Sequence, residues 1–459
     1  MADRAVLFID CSYGFGGAIK SLGLTLRSLE GIHYVLTSQD GTIAGTWLGT
    51  HATGGIRRYV NYHTLGPLRA STHALPSRTL RNASLKAIAA VDRVAALLSA
   101  ARLIRLCRRR SVALIHVNNG FMPYEAFVAA RYLGIPCVVH LRDFADPSHC
   151  IKKRVLDAVS CVITVSDAVG EGLQHTTAAG LPRVTIHDPV DLTAIDRAAD
   201  ARDAVRRRHD IRPDEIAVGI FGRVIPWKGQ REFLQAAIAA MKQDPRIRPV
   251  IIGDESDGGK QYIRRVHELA AGSGFGDRIV FAGYQAEVER YFAAMDIVVH
   301  ASITPEPFGM VVPEAMAARC AVIAADAGGP REVITPGADG LLVPPGDVDL
   351  LAEAMLRLAR DPAERRRLGE AGRKTVEERF GVESSAAAVR AVHDSLLGVL
   401  VAHPAAGSTP AQPAAWRGRR HESAPGAQTG GANSSARPAM QLLEKKQLDI
   451  LDPGADQNG

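Results

Sequence analysis

The chain has 459 residues, of which 46% are hydrophobic and 23% are charged, and its formal net charge is +6. This length exceeds one ordinary hydrophobic core, so we expect a globular protein of two or three domains. The small positive charge suits an anionic ligand or an anionic membrane surface, while the 5% aromatic content argues against a protein that stacks nucleic-acid bases.

The N-terminus runs directly into the strand-like segment 5–10, without the basic and apolar regions of a signal peptide. No uncharged apolar run is long enough to predict a membrane-spanning helix. The six cysteines form no CxxC pair, which disfavours a metal site and a disulfide framework. We therefore expect a cytoplasmic protein with free thiols.

Short runs rich in Val and Ile alternate with longer helical patterns along the chain. Apolar runs without alternation are typical of strands that are buried on both faces of a parallel sheet. The series restarts after a polar stretch, so we predict two Rossmann-like, doubly wound domains, 1–190 and 191–400, that face a cleft. The predicted strands are 5–10, 33–37, 112–117, 137–141, 161–165 and 184–187, then 216–221, 249–252, 279–282, 297–300, 322–325 and 341–343.

The composition shifts again near residue 402, where Ala, Pro, Gly and Ser become dominant. Such a segment cannot bury enough apolar surface to fold by itself. We predict that residues 401–459 form a disordered tail, with a short helical patch at 440–451.

A glycine-rich turn that contains Gly16 and Gly17 follows the first predicted strand and precedes a helical pattern. Glycines at this place let the backbone approach a ligand and leave N–H groups at the helix start free for an anion. The dinucleotide pattern GxGxxG would need a glycine at Ile19, which weakens a nicotinamide-binding interpretation. A tight turn without a ligand is the alternative.

Two cations, Arg223 and Lys228, lie five residues apart on the loop that follows the predicted strand 216–221. Arginine presents a planar fork and lysine a point charge, so both can bind one diphosphate. A solvated pair of loop charges is the alternative. The neighbouring glycines and the position at the carboxyl end of a strand make a ligand site the better interpretation.

Glu306 and Glu314 flank a glycine- and proline-containing segment after the strand 297–300. Pro313 fits only the first turn of a helix, which puts Glu306 in the loop and Glu314 near the helix start. Acceptors for sugar hydroxyls would then lie beside backbone donors for phosphate oxygens. Taken alone, two glutamates at this spacing are better explained by chance and helix capping. The donors expected between them are the N–H groups of Gly309, Met310 and Val311.

Two further patterns carry less weight. The glycine turn 327–332 follows the predicted strand 322–325, and a plain loop explains it as well as a ligand contact does. Asp347 and Asp349 have the spacing of a metal-binding DxD pattern, but they open an amphipathic helix. We interpret this pattern as a helix cap and assign no metal.

In their order along the chain, these segments resemble glycosyltransferase family 4, a group of retaining, nucleotide-sugar-dependent enzymes with the GT-B fold. The resemblance covers about residues 5–395 and is strongest over 216–345, where FGRVIPWKGQ, EPFGMVVPEA and AGGPREVI follow one another. It implies an α/β GT-B fold and a hexosyltransferase-type activity in polysaccharide or glycoconjugate biosynthesis. The sugar would move from a nucleoside-diphosphate sugar to a hydroxyl of a glycan, lipid-linked or small-molecule acceptor.

The resemblance also implies roles for individual residues. Arg223 and Lys228 would bind the donor diphosphate in place of a divalent metal, so no metal or other cofactor is expected. Glu306 would hold the transferred sugar and Glu314 the ribose. The other implied contacts are His140 at the catalytic cleft, Gly16 and Gly17 near the donor sugar, and the loop of Phe308, Gly309, Met310 and Val311 on phosphate or sugar. A buried core histidine is the alternative for His140.

The resemblance implies that domain 1–190 is the acceptor side and domain 191–400 the nucleotide-sugar donor side. Departures from the family pattern lie mainly in the acceptor half. Ile19 stands where the family often has Glu, and the usual His-Asp pair is widened to His140 and Asp143. Two alternatives therefore stay open: a nucleotide-sugar 2-epimerase of the same fold, and a catalytically inactive partner subunit of a glycan-synthesis complex. The segments around Arg223 and Glu306 argue against both.

Residues 78–110 form a long helical pattern that mixes basic and apolar side chains. Such a helix suits an anionic lipid surface and a lipid-linked acceptor, which would place the protein peripherally at the inner face of the membrane. The interpretation that we favour is a helix packed on the N-terminal sheet with a solvated basic end. We expect no nucleic-acid partner.

Overall fold

Two parallel β-sheets, one in each half of the chain, organise the protein. The structure is a computed structural model that describes residues 5–10, 12, 16–37, 42–58, 77–121, 123–145, 153–254 and 260–398, all within one compact unit. The tail predicted at 401–459 lies outside these residues, so its disorder stays a prediction.

The first sheet contains seven strands among the described residues, all of them parallel. They are β1 (Ala5–Asp10), β2 (His33–Thr37), β3 (Ile56–Arg58), β4 (Val112–Asn118), β5 (Cys137–Leu141), β6 (Cys161–Thr164) and β7 (Arg183–Thr185). Their order across the sheet is β3-β2-β1-β4-β5-β6-β7. The short edge strand β3 was not predicted, because two of its three residues are arginines and it has no apolar run.

The second sheet contains six parallel strands within the same described ranges. They are β8 (Ile216–Phe221), β9 (Ile247–Ile252), β10 (Val280–Gly283), β11 (Ile297–His300), β12 (Ala321–Ala325) and β13 (Leu341–Val343). Their order is β10-β9-β8-β11-β12-β13. The predicted α/β class with two doubly wound parallel sheets is confirmed.

Helices connect the strands in both halves. In the first half these are α1 (Gly17–Ser28), α2 (Ile43–His51), α3 (Arg78–Arg109), α4 (Tyr124–Leu133), α5 (Lys153–Leu156) and α6 (Asp167–Leu173). They continue with α7 (Leu192–Arg197), α8 (Arg202–Arg208), α9 (Gln230–Met241), α10 (Lys260–Gly272), α11 (Val288–Ala294), α12 (Val311–Ala317), α13 (Pro330–Val333), α14 (Val348–Arg360), α15 (Pro362–Arg379) and α16 (Val382–Leu396).

The strand order reverses at one point in each sheet, between β1 and β4 in the first and between β8 and β11 in the second. Loops that leave the carboxyl ends of such neighbouring strands diverge and open a crevice, where ligands of doubly wound folds bind. The loops predicted to bind the donor leave β1, β8 and β11. The topology therefore places all three at switch points.

The last helix returns to the first half of the chain. Helix α16 packs on α1, and its Val389 is fully buried beside Val6 and Phe8 of β1. The backbone N–H of Val190 donates to Phe380 O at 2.9 Å, so the two crossings between the halves run side by side. The sequence assigned 191–400 to the second domain, whereas the structure packs the end of this range on the first sheet.

Two local interpretations are confirmed. The Asp347 carboxylate accepts the backbone N–H of Leu350 at 2.9 Å and caps α14. Cys137 and Cys320 are buried free thiols, and burial raises the pKa of each to about 12. A thiol held protonated in this way packs as a small apolar group.

A buried histidine pair joins α16 to the first sheet. His116 Nδ1 and His393 Nε2 lie 2.9 Å apart, and Phe8 stacks on the His116 ring with centroids separated by 4.6 Å. Burial lowers the pKa of His393 to about 3 and holds the pKa of His116 well below its usual range. Both rings are therefore neutral in the folded protein at neutral pH.

Stability is expected to fall as the pH drops below 6.5, the ordinary histidine pKa. Between that value and about pH 3 the unfolded chain binds a proton at His393 that the folded protein does not. The free energy of unfolding should decrease by about 1.4 kcal/mol per pH unit for each such histidine. Denaturant titrations at pH 7 and pH 5 measure this slope. His393→Gln should reduce it, whereas replacement of the exposed His175 by glutamine should leave it unchanged.

Candidate active site

The loop after β8 packs closely against the end of β11. Residues Pro226–Lys228 form a 3-10 turn, and Gly229 ends it with φ at +73°. A Cβ atom at Gly229 would lie 1.9 Å from Ala301 O, far inside van der Waals contact. Glycine is thus required on both backbone and steric grounds, and it fixes where Lys228 lies.

Gly229→Ala is expected to lower the free energy of unfolding by at least about 3 kcal/mol, because backbone strain and a clash with Ala301 add together. Gly274→Ala is the matched control, since φ is +77° there but no atom lies within 4 Å of the Cβ position. The free energy of unfolding of this control should fall by only about 1–2 kcal/mol, the ordinary cost of a non-glycine residue in the left-handed backbone conformation. Equal losses in chemical denaturation would contradict the steric argument.

Glu306 is the centre of a buried polar cluster. Its Oε1 accepts hydrogen bonds from Lys228 Nζ at 2.7 Å and His300 Nε2 at 2.8 Å, and also from the Ser302 hydroxyl. Burial by itself would raise the pKa of Glu306, but His300 and Lys228 hold it well below its usual range. The carboxylate is therefore charged at all ordinary pH values.

The second oxygen of Glu306 is open. All three hydrogen bonds reach Oε1, and Oε2 accepts none from the described residues. The side chain is only 7% exposed, so few directions remain for a partner. A carboxylate oriented in this way can accept a hydroxyl group on its free oxygen.

The glycine turn after β12 holds the backbone of the Glu306 loop. The N–H of Gly329 donates to Glu306 O at 2.9 Å, and Gly328 forms a parallel bridge with Glu306. A Cβ atom at Gly328 would lie 2.2 Å from Glu306 O. The turn therefore packs closely on the backbone of the Glu306 loop.

Helix α12 begins at Val311, so Pro313 lies in its first turn and Glu314 near its start, as predicted. The first backbone donors that find partners are Val312 N–H, which donates to Gly309 O at 2.9 Å, and Glu314 N–H, which donates to Met310 O at 3.1 Å. Within the described part of the chain, the N–H groups of Met310 and Val311 donate to no other residue. They are available to an anion.

An ion-pair cluster joins the two halves beside α12. Lys20 Nζ of α1 lies 2.8 Å from Glu314 Oε1 and 2.9 Å from Glu289 Oε1. Burial alone would lower the pKa of Lys20, but the two carboxylates raise it above its usual range. The residue predicted to bind a ribose thus contacts a lysine of the opposite half.

The first glycine turn faces the same helix. Gly16 is the N-cap of α1, and a Cβ atom at Gly17 would lie 3.5 Å from Met310 Cγ. The structure therefore brings Gly17, Lys20, Met310 and Glu314 together across the halves.

Other predicted residues have different surroundings. Arg223 is exposed, and its guanidinium forms no ion pair within the described residues. Phe308 is buried and stacks on His187 with ring centroids 5.4 Å apart, so its side chain packs in the core. Gly309 has φ at +78°, and a Cβ atom there would lie 3.0 Å from Pro330 Cγ.

His140 belongs to a separate buried network at the carboxyl edge of the first sheet. Its Nδ1 lies 3.4 Å from Arg142 Nη2, and Arg142 also donates to Asn118 Oδ1 at 2.7 Å and Ser21 Oγ at 2.6 Å. Arg142 completes its contacts with an ion pair to Asp188. Burial, and next Arg142, hold the pKa of His140 well below its usual range, so its ring is neutral.

Several known proteins are similar to this chain in sequence and in fold. Residues 201–375 match the family model described as glycosyl transferases group 1. The lipopolysaccharide core biosynthesis mannosyltransferase LpcC of Rhizobium leguminosarum is 30% identical over 246 residues, which are 54% of this chain and 67% of that protein. A GDP-mannose-dependent alpha-mannosyltransferase of Mycobacterium tuberculosis is 31% identical over 289 residues, 60% of this chain and 71% of that protein. The chain belongs to the glycosyl transferases group 1 family.

The three-dimensional comparison identifies the fold of this group 1 chain. The structure of Anabaena HepE in complex with UDP-glucose matches with a TM-score of 0.66 at 24% identity, over 85% of this chain and 99% of that one. The predicted GT-B architecture is confirmed. Arg223, Lys228, Glu306 and Glu314 all lie in the part of the chain that matches the family model.

Sequence reasoning missed several side chains of this candidate site. His300 and Ser302 contact Glu306, and Lys20 and Glu289 contact Glu314 or its partner. His300 had a usable signal, since it ends an apolar strand at the carboxyl edge. Lys20 had none, because it lies 294 residues from Glu314 in the chain.

Proposed function

We propose that this protein is a retaining glycosyltransferase of family 4 that transfers a hexosyl group from a nucleoside-diphosphate sugar to an acceptor hydroxyl. The observation that carries the proposal is the buried Glu306 carboxylate, charged and open on Oε2, beside Lys228 at the switch point of the second sheet. A sugar hydroxyl fits the free oxygen, and a diphosphate fits the cations next to it.

The donor diphosphate would be held by charge and by backbone donors. Arg223 and Lys228 lie on the same loop after β8, and the N–H groups of Met310 and Val311 lie at the start of α12. Negative charge grows on the diphosphate as the bond to the sugar breaks, and these groups would stabilise it. Because the protein supplies this positive charge, the reaction we propose uses no metal or other cofactor.

Glu306 would orient the sugar rather than attack it. Three donors on Oε1 and a depressed pKa make this carboxylate a poor nucleophile. We assign no protein nucleophile, and the acceptor oxygen would form its bond to the anomeric carbon on the face that the diphosphate leaves. A phosphate oxygen of the leaving group would take the proton of the acceptor. The anomeric configuration would then be retained.

The ribose would compete with Lys20 for Glu314. In the structure Lys20 contacts Glu314 at 2.8 Å, so a ribose that used this carboxylate would displace the lysine or share it. Because Lys20 and Glu314 belong to opposite halves, donor binding would change a contact between the halves. The acceptor would enter from the first half, past the network that contains His140 and Arg142.

Two donors are the first to test. The names of two relatives specify mannosyl transfer, one of them from GDP-mannose, and the Anabaena structure contains UDP-glucose. A donor that binds the folded state raises its stability by about 2.7 kcal/mol at a concentration of 100 times its Kd. Thermal denaturation of the full chain with GDP-mannose, UDP-glucose and their unglycosylated nucleotides therefore ranks the candidates.

Product analysis then separates the possible activities. Incubation of the best donor with glycan and lipid-linked acceptors should release nucleoside diphosphate and form a glycoside whose anomeric configuration, measured by NMR, equals that of the donor. An isomerised donor without acceptor glycosylation would indicate a 2-epimerase. If Glu306→Ala and Lys228→Ala leave cellular glycan synthesis unchanged, an inactive partner subunit becomes the better explanation.

A further inference from the structure

The described residues of the protein cover helix α3 only in part. It has 32 residues, and its buried side chains, Ala100, Leu103 and Cys107, all lie in the last third. That third packs on α4. The favoured sequence interpretation, a helix packed on the N-terminal sheet with a solvated basic end, therefore describes only the last third of α3.

The uncovered part of α3 presents large apolar side chains to solvent. Among the described residues nine large hydrophobic side chains are exposed, and five of them are on α3. Four of these five repeat at intervals of three, four or eleven residues, which keeps them on one helix face. We call this face the outer stripe; with the neighbouring Leu97 it consists of Leu80, Val91, Val94, Leu97 and Leu98, each 57% to 61% exposed.

The same face becomes basic toward the C-terminus of the helix. Arg102, Arg105 and Arg109 continue the spacing from Leu98, four, three and four residues apart. Helix α3 carries eight Lys or Arg and one Asp, a formal charge of +7, whereas the whole chain carries +6. Arg102 and Arg105 form no ion pair with the described residues. The net positive charge of this protein is thus concentrated on one exposed helix.

Charge decides between two partners for the outer stripe. Its three-and-four spacing would suit a second copy of the same helix, as in a coiled coil. Such a pair would bring together two helices of charge +7, and like charges at that distance repel. An anionic lipid surface offers an apolar layer for the leucines and valines and negative headgroups for the arginines.

We propose that the outer stripe of α3 and the adjoining Arg102 and Arg105 bind the protein to the surface of an anionic membrane. None of the described helices is long and apolar enough to cross a bilayer, so the contact is peripheral. Helix α3 would lie in the headgroup layer with the stripe toward the acyl chains.

The length of α3 brings the first part of this contact to the cleft side. A helix of 32 residues is about 48 Å long, whereas the seven-residue strand β4 spans about 23 Å. Helix α3 ends three residues before β4 begins, at the amino edge of the sheet, so its first part extends past the carboxyl edge. Gly16 and His140 lie at that edge. If the proposed function holds, the membrane would present a lipid-linked acceptor to the same side.

Vesicle co-sedimentation of the full chain tests the proposal. The protein should bind phosphatidylcholine vesicles that contain phosphatidylglycerol and should bind pure phosphatidylcholine much less, with weaker binding at high salt. Arg102→Gln with Arg105→Gln should lower the partition coefficient by about 25-fold, since each arginine near an anionic surface contributes about fivefold. The matched control replaces the exposed Arg264 and Arg265 of α10 by glutamine and should bind like the wild type.

A second variant tests the apolar part of the contact. Val91→Gln with Leu98→Gln should also weaken vesicle binding, and their exposure predicts that the fold is kept, which thermal denaturation checks. Equal binding of the wild type and both variants would overturn the proposal. So would a dimer in light scattering that the Leu98 variant dissociates, since that result assigns the stripe to a second copy. Vesicle binding does not depend on sugar transfer, so a failure of the proposed activity is detected separately.

Discussion

Glu306→Gln is expected to lower the kcat of sugar transfer by about 10²–10³-fold, the usual effect of removing one preorganised electrostatic contact from a transition state. The amide keeps the size of the side chain but removes its negative charge. It can no longer offset positive charge on the anomeric carbon as the diphosphate leaves. The donor KM should change much less than kcat, because the charge matters most in the transition state.

The same substitution also changes the stability of the protein. Lys228 is only 16% exposed, and it would lose its counter-ion at 2.7 Å. An uncompensated, partly buried charge should lower the free energy of unfolding by about 3 kcal/mol. Steady-state kinetics and denaturant titration together measure the two effects.

Glu370→Gln provides the matched control. Glu370 pairs with Arg319 at 3.2 Å, but the Glu370 side chain is 67% exposed and the Arg319 side chain is 50% exposed. Exposed pairs contribute little to stability, so this variant should keep the wild-type kcat and midpoint of unfolding. Full activity of Glu306→Gln in a folded protein would contradict the proposed role of the carboxylate.

Arg223→Ala should lower kcat/KM for the donor by about 10²–10⁴-fold and leave stability unchanged. Two charge-assisted hydrogen bonds from a guanidinium to a diphosphate contribute about 1.5–3 kcal/mol each. The free energy of unfolding of the donor-free protein should not change, because Arg223 is exposed and forms no ion pair with the described residues. Donor titrations of the variant, with denaturation as the second readout, test both statements.

Comparison with Lys228→Ala sharpens this test. That variant would lose diphosphate binding and would also leave Glu306 without its partner, so activity and stability should fall together. Arg223→Lys keeps the charge but loses the planar fork, and it should recover part of the donor affinity. Arg319→Ala, which removes an exposed arginine of the same half, should behave like the wild type. An active Arg223→Ala protein would remove this residue from the donor site.

Local sequence patterns were sufficient to predict most of the strands and helices. The predicted strands 216–221 and 297–300 coincide with β8 and β11, because strands buried on both faces need continuous apolar runs. Pro313 located the start of α12 because its ring excludes all but the first helical turn. The edge strand β3 was missed, since it has no apolar run of its own and its place in the sheet comes from pairing with β2.

The contacts within the candidate site depended on distant parts of the chain. The sequence placed Arg223, Lys228 and Glu306 on loops, and Glu314 near a helix start, at one edge of a sheet. The roles of these residues stay predictions. It could not pair Glu314 with Lys20, since that contact exists only when the two halves meet. It also contained no sign that Gly329 would hold the backbone of Glu306.

What the amino-acid sequence by itself determined was the class of fold, the order of the glycine, cation and carboxylate segments, and their place at strand ends. These follow from periodicity, proline and glycine, which act over a few residues. Only the tertiary structure decided that Glu306 Oε2 has no partner among the described residues, that Lys20 reaches Glu314, and that the buried side chains described on α3 lie in its last third. Those properties depend on burial and charge contacts between segments that are far apart in the chain, and a local pattern does not encode them.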